Sequence, residues 1–285
     1  EFTFCDNSCL PGEQKIHDPD GIFLMPIPKP YSKYLIWKDS KPFEELYDLN
    51  KDPEAIKNLA LNPKFQAITK KMREALFSWM IKTRDLGLFD ETELIVRSTK
   101  YDGVSYEVGI HCQNLERVLK TADLSRLGKE GRSSLIERLN DPDSAIRYWA
   151  VTGLMSFDID NDTINKLSYL VNDESLSVSL AAGDALCRSS RPENSTVAFI
   201  RALESDILWA RCRAGANLSY YDRETLSKMK MLIPYLKAAL KNPSCYGNNA
   251  PALDTLIPPN QVFFGGTVIV LGVGIILFTL DTIQT

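Results

Sequence analysis

The chain has 285 residues, 44% of them hydrophobic, which is enough for about two domains with real cores. A formal net charge of −4 offers no basic stripe, which excludes nucleic acid as a partner on electrostatic grounds. With only two histidines, His17 and His111, a His-rich metal cage or a histidine-based catalytic group has almost no material, and no cofactor is expected.

Glu1 stands where a Met would, and no signal-peptide pattern follows it, so the sequence is expected to begin after processing or partway through a longer product. Residues 1–31 read as an irregular segment, because Pro11, Pro19, Pro26, Pro28 and Pro30 break any long helix. Of the six cysteines, Cys5 and Cys9 lie close together and are either a disulfide or free thiols. Cys187 and Cys212 fall in apolar helical patterns and read as buried thiols. Tyr34-Leu35-Ile36-Trp37 and Glu45-Leu46-Tyr47-Asp48-Leu49, separated by turn-forming residues, predict a small antiparallel hairpin. Asp52-Pro53-Glu54 predicts the opening turn of a helix. From Pro63 to about Arg84 the residues Phe65, Ile68, Met72, Leu76, Trp79 and Met80 recur at spacings of three and four. That pattern predicts an amphipathic helix with one buried stripe. Residues 88–112 read as irregular, with a linker at 96–112.

From 113 to 242 the pattern is helical and repeats. Leu154, Leu186 and Leu218 lie 32 residues apart, and on the same register fall Ala150, Ala182 and Ala214, then Ile146, Val178 and Ala210. Upstream in each unit come Leu135, Leu167 and Phe199, then Leu139, Val171 and Leu203. The turns Asn140–Asp143, Asn172–Ser175 and Glu204–Asp206 supply the acids and hydroxyls that cap a second helix, so each unit reads as a helix pair. A helix pair cannot bury its own apolar face, and a period in the low thirties therefore predicts a stacked α-solenoid. A last helix at Leu226–Lys241, broken or kinked at Pro234, closes the stack. A Gly/Asn/Pro linker at 243–260 follows. Beyond it Val262–Leu280 is an uncharged run of about 19 residues, which predicts a transmembrane helix within 261–281. Gly265, Gly266, Gly272 and Gly274 would let that helix pack closely on another, or simply reflect the frequency of glycine in membrane helices.

Residues 32–95 resemble the C-terminal subdomain of type I sulfatases, in the alkaline-phosphatase-like superfamily. The resemblance is carried by Ser32–Trp37, by Pro42-Phe43-Glu44-Glu45-Leu46-Tyr47-Asp48-Leu49-Asn50-Lys51-Asp52-Pro53-Glu54, by Asn58-Leu59-Ala60, and by Asp85-Leu86-Gly87-Leu88. Asp141–Ala150 looks like a HEAT-like repeat of the kind that follows this subdomain in some bacterial members. The fold implied is mainly α: a small α+β sulfatase-like subdomain, HEAT-like repeats and one membrane helix. The family's nucleophile is a formylglycine in a CxPxR-type motif, and carboxylates and amides in the upstream domain hold its calcium. In this chain the near match Cys9-Leu10-Pro11-Gly12-Glu13 replaces the arginine with an acid that would repel a sulfate ester. Asp158-Asp160-Asp162 lacks the glycine and glutamate of a calcium loop and reads as a solvated inter-repeat loop. No phosphate loop, zinc spacing or GxSxG elbow occurs.

Two functions follow as expectations. One is a non-catalytic, membrane-anchored scaffold or accessory subunit of an integral membrane complex, photosynthetic or respiratory among the options. Its helical surface would bind a partner through Arg147, Tyr148, Trp149, Trp209, Arg211, Arg213, Tyr220 and Tyr221, and its terminal helix would meet lipid. The other is the C-terminal part of a sulfate-ester hydrolase. By analogy with exported sulfatases the globular part is placed on the periplasmic or extracytoplasmic side.

Overall fold

A computed structural model describes residues 42–219 and 221–241. The chain divides into two compact units, Glu1–Leu76 and Phe77–Thr285. The N-terminal segment, Cys5, Cys9, Tyr34–Trp37, Tyr220 and the predicted span with its four glycines lie outside the described residues. Among those described, no helix is long and apolar enough to cross a membrane.

In the first unit the Glu45–Leu49 stretch forms no strand. Its polar backbone is satisfied by the Asn58 side chain, which accepts from Leu46 N–H at 3.0 Å and donates to the Glu44 carbonyl at 3.0 Å. Leu59 N–H donates to the Leu46 carbonyl at 2.7 Å beside it. One amide side chain thus supplies the donor and acceptor that a neighbouring strand would have offered. Asp52 opens a turn, not a helix. Its carboxylate accepts from Ile56 N–H at 3.1 Å and Lys57 N–H at 2.7 Å, and Ala55 takes a left-handed φ of 54°.

Helix α1 (Gln66–Thr83) follows the 3-10 turn Pro63–Phe65, with Asn62 as its cap. The helix is where periodicity placed it, but of the predicted stripe only Met80, which packs against a buried cluster, and the half-buried Phe65 are covered. Ile68, Met72, Leu76 and Trp79 are 48–57% exposed. The adjacent face packs instead: Thr69 is buried, and Arg73 makes a two-pronged bond to Glu44. The helix carries two apolar rows, and spacing alone cannot say which one is covered.

Residues 88–112, read from sequence as irregular, are largely helical: α2 (Glu91–Ser98), a 3-10 turn at Thr99–Tyr101, and α3 (Ser105–His111). Then come α4 (Leu115–Asp123), α5 (Gly128–Arg138), α6 (Ser144–Leu154), α7 (Asn161–Leu170), α8 (Leu176–Arg188), α9 (Pro192–Leu203) and α10 (Leu208–Ser219). The short α11 (Arg223–Ser227), a 3-10 turn and α12 (Ile233–Lys241) end the described chain. Pro234 falls in the first turn of α12, where its missing N–H costs nothing, so the proline breaks the predicted last helix in two without kinking it.

The 32-residue register is the core. All fifteen aligned residues, from Leu135 to Leu218, are at most 4% exposed. The units are the pairs α5/α6, α7/α8 and α9/α10, and α4, α6, α8 and α10 form a row in which each packs on the next. The alanines at 150, 182 and 214 let these helices approach closely. The leucines and Phe199 fill the space between the two helices of a unit, each fully buried aliphatic or aromatic side chain contributing about 1.5–3 kcal/mol of transfer free energy. Polar bonds keep the same register. Arg147 donates to the carbonyl of Asp141, and Arg211, two units on, donates to the carbonyl of Ser205; each reaches six residues back. Among the described cysteines, Cys112 and Cys187 are buried free thiols, while Cys212, expected to be buried, is half-buried.

Candidate interaction surface

Helix α2 lies against α8 and α10 of that row. Asp90 caps it, accepting from Thr92 N–H at 3.1 Å. The same carboxylate accepts from the Ser177 hydroxyl at 2.5 Å and pairs with Arg213. One turn on, Glu93 accepts from Ser175 Oγ at 2.7 Å, from Ser144 Oγ, and from Arg97 Nε at 2.7 Å. Arg97 continues to Asp143 at 2.6 Å and to Ser144 at 3.0 Å, with its guanidinium 5.1 Å above the Phe89 ring. The carboxylates of Asp90 and Glu93 therefore sit beside the first turns of α6 and α8, whose amides are capped by Asp143 and Ser175 and whose dipoles favour negative charge.

Beside this network is a cleft of about 620 Å³ between α2, α3 and the starts of α6 and α8. Its wall includes His111 stacked on Tyr101 at 4.8 Å, with His111 Nδ1 within 3.0 Å of the Glu107 carbonyl. Burial pushes the Cys112 thiol above its ordinary value, which keeps it protonated and unreactive. Burial also pushes the Asp143 carboxyl upward, but the Arg97 bonds, together with the Ala145 amide, outweigh it and hold the group below the usual carboxylate range. The acids here are salt-bridged anions, suited to holding elements together. Among the described residues no group of three or more His, Cys, Asp and Glu is placed to hold a metal ion. Asp160, in the acidic loop, caps α7 through Thr163 N–H at 2.8 Å and meets Arg132 at 2.6 Å.

The described residues among those selected from sequence do not form one patch. Arg147 is buried and forks onto Asp173 with two 2.8 Å bonds, donating also to the carbonyls of Asp141 at 2.8 Å and Pro142 at 3.1 Å. Tyr148 is buried too. Its hydroxyl takes a 2.9 Å bond from Arg213, whose guanidinium lies 5.7 Å from the ring centroid, and Trp149 meets it edge-on at 5.6 Å. Trp149 Nε1–H donates to the Leu88 carbonyl at 2.8 Å. Tyr221 bonds Asp184 and packs edge-on against Phe199 at 6.3 Å; burial, then the Asp184 charge, push its phenol far upward. Trp209 stays 39% exposed, and Arg211 serves its own turn. Thus Tyr148, Trp149 and Arg213 come together around the start of α2, whereas Arg147, Trp209, Arg211 and Tyr221 stand apart from it. Sequence reading missed Asp90, Glu93 and Arg97. The cap pattern Asp90-Glu91-Thr92-Glu93 was the available signal for a helix there.

Part of this chain is sulfatase-related. It is 43% identical over 63 residues to an ulvan-active sulfatase of Formosa agariphila, a match that takes in 20% of this chain and 13% of that protein. A second ulvan-active sulfatase of the same organism is 41% identical over 59 residues, covering 21% of this chain and 10% of that one. The matched part of the chain thus spans about a tenth of the length of these curated relatives. No family model matches the chain. No solved structure matches it.

Proposed function

We propose that this chain is the C-terminal part of a sulfate-ester hydrolase, in which HEAT-like repeats after the sulfatase-like segment form an α-solenoid that binds a protein partner. The identity to ulvan-active sulfatases carries the reading. The residues of the resemblance agree with it: Glu44, Leu46, Asp52 and Asn58, all within the quoted motif, hold the first unit's backbone together. The solenoid is supported by the buried 32-residue register and by helices α4, α6, α8 and α10, each packed on the next. In this reading the bond-breaking residues, the formylglycine and its calcium, belong to residues outside those described, and the described residues position and recruit.

The test is sulfate release from ulvan by the native polypeptide purified from its own source. Release that is lost with the formylglycine supports the reading, and a pure polypeptide that releases no sulfate refutes it. A second reading is favoured by the uncharged run Val262–Leu280: a membrane-anchored scaffold or accessory subunit of an integral membrane complex, with no hydrolysis of its own and its globular part extracytoplasmic. In that case Trp209 and Arg213, each 39% exposed, are the partner contacts to replace first.

A further inference from the structure

Helix α1 carries apolar side chains on two sides. Phe77, Met80 and Ile81 pack against a buried cluster, whereas Ile68, Met72, Leu76 and Trp79 stand 48–57% exposed on the side away from it. At 3.6 residues per turn these four fall within an arc of about 80° and run along roughly 17 Å of helix. Apolar residues exposed singly need no partner, but a continuous row of this length marks an interaction surface.

The charges around the row define what it meets. Lys71 and Lys82 lie along one border of the arc, and Lys64 stands in the turn that opens the helix. All three are exposed, and no ion pair involving them occurs among the described residues. The acids are committed elsewhere: Glu74, the helix's one carboxylate, lies on the opposite side and meets Lys70 at 3.8 Å, and Glu44 is bonded to Arg73 at 2.6 Å. The helix thus holds four basic residues to one acid, in a chain whose net charge is −4.

We propose that this face of α1 seats on an anionic lipid surface, with Ile68, Met72, Leu76 and Trp79 entering the boundary between headgroups and acyl chains and Lys64, Lys71 and Lys82 meeting lipid phosphates. Long lysine stems let the ammonium groups reach the phosphates while the apolar tips sink beside them, and a tryptophan belongs at that depth. An acidic protein would satisfy the lysines too, but its fixed shape must match a single helical row, whereas a fluid bilayer conforms to any such row. Each lysine beside an anionic surface strengthens binding about fivefold, so three together raise it on the order of a hundredfold over neutral lipid. Such seating is independent of both functional readings, since it requires neither sulfate-ester hydrolysis nor a span at Val262–Leu280.

The test is a footprint at Met72 in the full chain, because a span at Val262–Leu280 would carry the chain into any vesicle and only a local readout reports α1. The chain is reconstituted into vesicles of phosphatidylcholine alone, or of phosphatidylcholine with phosphatidylglycerol, and oxidised with chloramine-T before peptide mass spectrometry. Met231, 60% exposed and on another element, and the fully buried Met229 set the fast and slow limits. On neutral vesicles Met72 should oxidise at the rate of Met231. On anionic vesicles it should slow at least about tenfold while Met231 does not change. High salt should restore the fast rate, and so should the Lys64→Gln/Lys71→Gln/Lys82→Gln variant with its circular dichroism unchanged. Equally fast oxidation of Met72 on both vesicles overturns the proposal. Slow oxidation on neutral vesicles also overturns it, because protein and not anionic lipid then covers the row. Slowing that survives high salt and the variant overturns the role of the lysines and with it the choice of an anionic surface.

Discussion

Replacing Arg147 by alanine removes a rung between two successive units. The guanidinium is 9% exposed and the Asp173 carboxylate 6%, joined by two 2.8 Å bonds, with two backbone carbonyls and the exposed Glu174 carboxylate at 3.4 Å taking the remaining donors. Both groups lost their hydration on folding, so truncation leaves Asp173 as a buried anion without its partner. Breaking a buried pair from one side costs about 3–5 kcal/mol. For a folded body of this size about 2–4 °C is lost per kcal/mol, so the thermal midpoint should fall by about 6–20 °C. The assay is circular dichroism through thermal and urea unfolding, for Arg147→Ala, Asp173→Ala and the double variant. The two losses should be strongly non-additive, and Arg147→Met with Asp173→Leu should recover much of the stability, because apolar side chains of similar size need no hydration restored. A loss below about 1 kcal/mol for Arg147→Ala, or simple additivity, would refute the view that this pair locks the repeat register.

Gly131 in α5 has no room for a side chain, since a Cβ there would run into the Leu124 carbonyl. Gly131→Ala should therefore destabilise by about 1–3 kcal/mol in the same urea assay, although alanine is the better helix former. Asp160 should titrate at about 2 by NMR, below the ordinary 3.8, because the Thr163 amide and hydroxyl, and then Arg132, favour its charged form. Its contribution to stability is then fully present above pH about 4 and is lost as pH falls toward 2; a titration near 4 would contradict the capping geometry. Burial raises the Cys187 thiol to about 11, so alkylation at pH 8 should leave Cys187 unmodified in the native chain and modify it readily after unfolding. Rapid labelling of the native protein would contradict the packing around it.

The repeats were legible because one residue type recurs for one reason at each step: Leu154, Leu186 and Leu218 face the same gap between paired helices, and Ala150, Ala182 and Ala214 stand at the same close crossings. The caps were legible too, Asp143 and Ser175 both accepting amide bonds in the turns where acids and hydroxyls were expected. What escaped was structure held by polar bonds. Asn58 replaces a strand partner through one amide, and α2 buries a carboxylate, so neither leaves an apolar period in the sequence. Arg147, Tyr148 and Tyr221 looked like surface recognition residues by type, but each finds its partner 26 to 65 residues away in sequence or in a neighbouring helix. Such distant pairings are invisible to local patterns. The exposed row on α1 shows the converse: Ile68, Met72, Leu76 and Trp79 have a helical period without being the packed face.

The most direct measurement is the intact mass of the native polypeptide carrying this sequence, isolated from mild-detergent membranes together with whatever remains bound to it. The sulfatase reading predicts a chain longer than these 285 residues that contains a formylglycine. A chain of this length alone, in stoichiometric complex with integral membrane proteins and with no formylglycine, would contradict it and leave the scaffold.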